Sequence, residues 1–119
     1  MTHGEKKIGK IIEELTMYFF AVGANKINSG IEINGNQAVI HITANYLREN
    51  ADRVEKLREY LNEPKNNGLE NFFWELAGCG DPGESSQLIL LGMMIDSFEM
   101  EMDEEKVSLV LYKELESGI

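Results

Sequence analysis

Asn34-Gly35 stands between two β-prone runs, Ile31-Glu32-Ile33 before it and Ala38-Val39-Ile40-His41-Ile42-Thr43 after it. This dipeptide takes the positive φ angles of a tight turn at least steric cost, so the stretch predicts a β-hairpin. A second antiparallel pair is predicted near the other end. Strands near residues 97–103 and 106–113 flank Asp103-Glu104-Glu105-Lys106, with Phe98, Met100 and Met102 alternating against Glu99, Glu101 and Asp103.

Helices fill the remaining segments. Ile8, Ile11, Ile12, Leu15, Phe19 and Val22 recur at helical spacing with Lys and Glu between them, which predicts one amphipathic helix over 5–23, closed by Gly23. A second helix is expected from Glu49 to Asn62, with Val54, Leu57 and Leu61 on its inner face, ending before Pro64 and Lys65-Asn66-Asn67-Gly68. Leu69 to Leu76, with Phe72, Phe73 and Trp74, reads as a short helix packed by its aromatics. A glycine-bearing loop, Gly78-Cys79-Gly80-Asp81-Pro82-Gly83, then opens an apolar helix through Leu88, Ile89, Leu91 and Met94. The expectation is one domain over 1–119. Its class is α/β in the α+β sense: a two-layer sandwich, with a mixed or antiparallel sheet from two hairpins and helices on one face.

The chain carries 21 acids against 11 Lys plus Arg, a formal charge of −10. Residues 1–50 hold five of each sign, whereas residues 51–119 hold sixteen acids and six cations. Clustered cations drive binding to phosphate backbones, so this balance argues against nucleic acid and anionic membrane as partners. No apolar run approaches the roughly 20 residues that span a bilayer, and no apolar signal segment follows Met1-Thr2-His3-Gly4. A cytoplasmic protein is expected. The single cysteine, Cys79, has no partner for an internal disulfide.

The glycine loop supports two readings. Backbone N–H groups at a helix start can hold a phosphate. Asp81-Pro82-Gly83-Glu84 also fits an ordinary helix start, with Asp81 as N-cap, Pro82 at the first helical position and Glu84 completing a capping box. The capping reading is preferred, because Asp81 and Glu84 repel a phosphate and no cation lies between Lys65 and Lys106. Cys79 near a helix start has the position of a reactive thiol, with His41 as the one base to hand, but also that of a small loop residue. Glu99, Glu101 and Asp103 share one strand face, read as solvated and not as a cation site. Met93, Met94, Met100 and Met102 read as core filler.

The element order is helix, hairpin, helical middle, glycine loop, helix, hairpin. With Gln87-Leu88-Ile89-Leu90-Leu91-Gly92-Met93-Met94-Ile95-Asp96-Ser97-Phe98 and Lys106-Val107-Ser108-Leu109-Val110-Leu111, it resembles the histidine-kinase-type ATPase fold, in particular bacterial anti-sigma-factor kinases. The resemblance implies ATP with magnesium, Glu14 as general base, Asn45 at adenine, and Gly78, Gly80 and Gly83 at phosphate. Tyr18, four residues after Glu14, or Met17, four after Glu13, stands where the family has its magnesium-holding Asn, and Ala44-Asn45-Tyr46 replaces its Asp followed by glycines.

The resemblance therefore implies a scaffold that has lost its nucleotide. The leading expectation is a non-catalytic regulatory or protein-interaction domain with no cofactor and no metal. Its partner would present a basic surface, or be a second copy. An ATP-dependent serine kinase with atypical motifs and a homodimeric structural module are the alternatives.

Overall fold

The structure, a computed structural model, describes residues 3–62 and 83–115. Helix α1 (His3–Ala21) buries Ile8, Ile11, Leu15, Tyr18 and Phe19 as one stripe. It ends two residues earlier than its periodicity suggests, because Gly23 takes φ +95° and the Ala24 N–H turns back to the Phe19 carbonyl at 2.9 Å. A left-handed glycine closing a helix in this way satisfies its last carbonyls.

Strands β1 (Ile27–Asn34) and β2 (Gln37–Asn45) form the expected hairpin, but its turn lies one residue further on. Gly35-Asn36 is the two-residue loop, Asn34 pairs with Gln37, and only Gly35, at φ +62°, has a positive φ. Glycine at the first central position is the signature of a type II′ turn, which asks nothing unusual of Asn36. β1 also starts four residues before the alternation at Ile31. Pairing with the full length of β2 extends it through Asn28-Ser29-Gly30, whose local propensity is poor.

The helical middle is broken where one continuous helix was expected. A 3-10 turn (Arg48–Asn50) leads into α2 (Ala51–Glu55) and α3 (Leu57–Leu61), divided at Lys56. The Arg53 carbonyl, which an unbroken helix would offer to the Leu57 N–H, accepts the Tyr18 hydroxyl. Val54, Leu57 and Leu61 are buried as their spacing predicts.

The last described helix, α4 (Ser85–Gly92), leads to β3 (Ser97–Met102) and β4 (Lys106–Glu114). Asp103 sets the turn between the strands, its Oδ1 accepting from the N–H groups of Glu105 and Lys106, both at 2.8 Å. These two bonds hold its carboxyl below the usual range.

The four strands form one antiparallel sheet in the order β1-β2-β4-β3. Of the two sheet types left open by the sequence, the antiparallel one is found. In β2 and β4 alternate residues are buried: Ala38, Ile40, Ile42 and Ala44 meet Val107, Leu109 and Leu111 on the face that packs with the α1 stripe. The opposite face, with His41, Thr43 and Ser108, is open to solvent. Glu99 and Glu101 are exposed while Met100 is buried, so β3 is sided as its alternation predicts. Lys7 and Lys113 are buried too, Lys113 occupying a core position of β4.

Candidate functional site

Glu14 lies on the buried side of α1, one residue before the core stripe residue Leu15, and is 1% exposed. Its Oε2 accepts the Gly83 N–H at 2.6 Å, and its Oε1 lies 3.0 Å from Lys10 Nζ one turn back. The carboxylate therefore bridges α1 to the chain just before α4. Gly83 takes φ +86°, and a Cβ there would come within 2.8 Å of the Tyr18 backbone N, which only glycine avoids.

This contact corrects the expected helix start. Glu84 is extended and stands at the N-cap of α4 without a side-chain cap hydrogen bond, so the helix begins at Ser85 and not at Pro82. Gly83 itself is left-handed and outside the helix, and Glu14 takes up its N–H from α1. Asp81, Pro82, Cys79, Gly78 and Gly80 lie outside the described residues, as does the aromatic segment Phe72-Phe73-Trp74.

Beside Gly83 is a cavity of about 500 Å³, lined by Tyr18, Ala21, Arg53, Lys56, Tyr60, Gly83, Glu84 and Ser85. Tyr18 joins it to the core: its hydroxyl donates to the Arg53 carbonyl, and burial, with a smaller contribution from Tyr60, pushes its pKa up to about 12. A phenol so placed keeps its proton at neutral pH and commits it to the Arg53 carbonyl. Among the described residues no group of three His, Cys, Asp or Glu is gathered at ligand distance.

Asn45 is not part of this constellation. Its Oδ1 accepts the N–H groups of Asn25 and Lys26 at 2.9 and 3.0 Å, and its Nδ2 donates to Asn25 Oδ1 at 2.5 Å, clamping the entry of β1 to the end of β2. It lines a second cavity, of about 420 Å³, with Lys26, Thr43, Ser108 and Lys106 at one end of the sheet. His41 is exposed on the open face.

The structure thus brings Glu14 and Gly83 together and places Asn45 elsewhere. Arg53 and Lys56 escaped the sequence reading. They are some thirty residues from Gly83 in the chain, and nothing in their spacing says that the outer side of α2 turns towards the start of α4. Near the first cavity Met17 and Phe20 are exposed on α1, and Leu47 is exposed beyond β2. No family model matches this chain, and no curated protein or solved structure is found to be similar to it.

Proposed function

We propose that this chain is a non-catalytic regulatory domain that works by binding another protein, on a scaffold similar to the histidine-kinase-type ATPases with the nucleotide lost. The observation that carries the reading is the closed contact between Glu14 and Gly83. A general base needs a carboxylate within reach of a proton on its substrate. Here the carboxylate is sealed from solvent, and its oxygens are engaged by a backbone amide and a lysine. Gly83, one of the three glycines that would leave room for phosphate, is instead packed on the α1 backbone.

The surface that suits such a partner centres on Leu47, whose backbone N–H bonds to the Val22 carbonyl just past α1. Leu47, half exposed, sits next to Arg48, which pairs with Glu104 at 2.9 Å and reaches Glu105 at 3.6 Å. An apolar anchor rimmed by carboxylates suits a basic protein surface with an apolar residue at its centre.

A second reading rests on Arg53 and Lys56, whose charges line the 500 Å³ cavity beside the N-terminus of α4. Two cations and a helix start favour an anionic ligand, against the one carboxylate, Glu84, that lines the same cavity, and a nucleotide held without catalysis is that reading's form. Thermal unfolding with and without millimolar Mg-ATP separates the two. The non-catalytic domain shows no shift. Stabilisation approaching about 2.7 kcal/mol, the value for ligand at a hundred times its Kd, overturns it, and loss of that shift in Lys56→Glu would assign the ligand to this cavity.

A further inference from the structure

Among the described residues β1 is an edge strand with few of the usual protections. Among the described residues no strand pairs with its far side. It runs eight residues in unbroken register with β2, without a bulge, a proline or a lysine, and Glu32 is its one charged residue. Such an edge is a template for another strand. The other edge, β3, shows the contrast, with Glu99 and Glu101 in six residues.

The side chains tell the same story. Ile31 and Ile33 lie directly opposite Ile40 and Ala38, so they point to the core side of the sheet, where both partners are fully buried. Yet Ile31 is 47% exposed and Ile33 51%. The apolar layer therefore continues past the last strand that covers it.

We propose that the occupant is a second copy of this chain, paired β1 to β1 antiparallel about a two-fold axis at Ile31, so that two four-stranded sheets become one. Backbone parity supports it. The Asn45 N–H bonds to the Lys26 carbonyl at 3.2 Å, so even-numbered residues of β1 turn their backbone groups to β2, and Ser29, Ile31 and Ile33 turn theirs outward. A register centred on Ile31 sets these outward residues opposite one another: Ile31 against its own copy, and Ile33 against the Ser29 of the second copy. Hydrogen bonds and apolar side chains are satisfied in the same register, with all the apolar groups on the helix side.

Charge favours this register over the one centred on Glu32. Centred on Glu32, the pairing would put two carboxylates face to face, which is unfavourable. Centred on Ile31, it puts Glu32 opposite Gly30. The near neutrality of the strip also lets two chains of charge −10 approach along the one edge where acids are sparse.

Sedimentation velocity over a concentration series tests the proposal, with backbone hydrogen exchange read in parallel. The expected species has twice the 13.5 kDa chain mass. Ile31→Lys, which sets two ammonium groups on the axis at a site already half exposed, raises the dimer Kd by about 100-fold. Glu101→Lys on the opposite edge leaves it unchanged. In the wild-type dimer the Ser29, Ile31 and Ile33 amides exchange slowly and become fast on dilution, while Gly30 and Glu32 stay protected by β2 at every concentration. A monomer at all concentrations, a dimer that survives Ile31→Lys, or fast exchange at Ile31 in the concentrated wild-type protein overturns the proposal. The exchange pattern needs no variant to fold, and none of these outcomes bears on nucleotide binding.

Discussion

Glu14 shows how one residue type serves opposite ends according to what surrounds it. As a catalytic base it would contribute little to folding, and its removal would be tolerated. As a sealed bridge between Lys10 and the Gly83 N–H, it holds α1 to the start of α4. Glu14→Ala strands a buried donor and frees a cation from its partner, a loss of about 1.5–3 kcal/mol for a hydrogen bond to a charged group. Glu14→Gln keeps an acceptor and loses less. Urea unfolding of both variants measures this, and wild-type stability in Glu14→Ala would return the residue to the list of candidate bases. Tyr18 gives a pH signature at the same scale. Its pKa is raised from 10.0 to about 12, so the folded state holds the phenol proton where the unfolded chain has released it. The stabilisation is complete below pH 10 and drains away between pH 10 and about 12, since unfolding then releases a proton. Tyr18→Phe is expected to lose about 1 kcal/mol at pH 7 with the hydroxyl's bond to Arg53, and to flatten that alkaline decline. A decline of equal steepness in the variant would assign it to other groups.

The elements meet through close backbone approaches as much as through side chains. Gly92, at the end of α4, packs on α3 so tightly that a Cβ there would lie 2.4 Å from the Tyr60 carbonyl oxygen and 3.0 Å from the Leu61 Cα. In an open helix Gly→Ala gains up to about 1 kcal/mol of propensity. Here Gly92→Ala must push α4 off α3, and overpacking of this kind costs about 1–3 kcal/mol. The expected result is a net loss of stability in a denaturation curve, and a gain would show the two helices to be separable. Nothing in Leu91-Gly92-Met93 announces this. A glycine in an apolar helix reads only as a weak point, because its purpose belongs to the helix beside it. The same logic divides what was legible in the sequence from what was not. The α1 stripe, β2, β3 and β4 repeat with their own periods, so local residues are enough to place them. The Ser29-Gly30 half of β1, the break at Lys56 and the late start of α4 are decided by β2, by Tyr18 and by Glu14, all distant in the chain. The approach of Arg53 and Lys56 to Gly83 is likewise a product of packing.

At the scale of the whole molecule the charge has a direction as well as a sum. The first fifty residues are balanced, and the excess acid is concentrated after residue 50, including the exposed Glu99, Glu101, Glu104 and Glu105 of the β3–β4 hairpin. On the folded surface these like charges sit closer together than in an open chain, so the native state carries self-repulsion that unfolding relieves. Salt should therefore stabilise this protein. Between 0.01 and 0.1 M the screening length falls from about 30 to about 10 Å, which separates much of one acidic edge from the rest of the surface. A gain on the order of 1 kcal/mol would raise the melting temperature by roughly 4 °C for a domain near this size. Differential scanning calorimetry in NaCl at fixed protein concentration reads it directly. The rise is expected to level off once screening is complete, and to shrink in Glu99→Lys/Glu101→Lys, where the edge repulsion is reversed at its source. The ion pairs Lys10–Glu14, Arg48–Glu104 and Arg58–Glu55 pull the other way, since salt weakens them. Two of these three are exposed, and exposed pairs are worth about 0–1 kcal/mol each, too little to invert the sign against a charge of −10. A melting temperature that falls with NaCl would mean that attraction, and not repulsion, governs this surface.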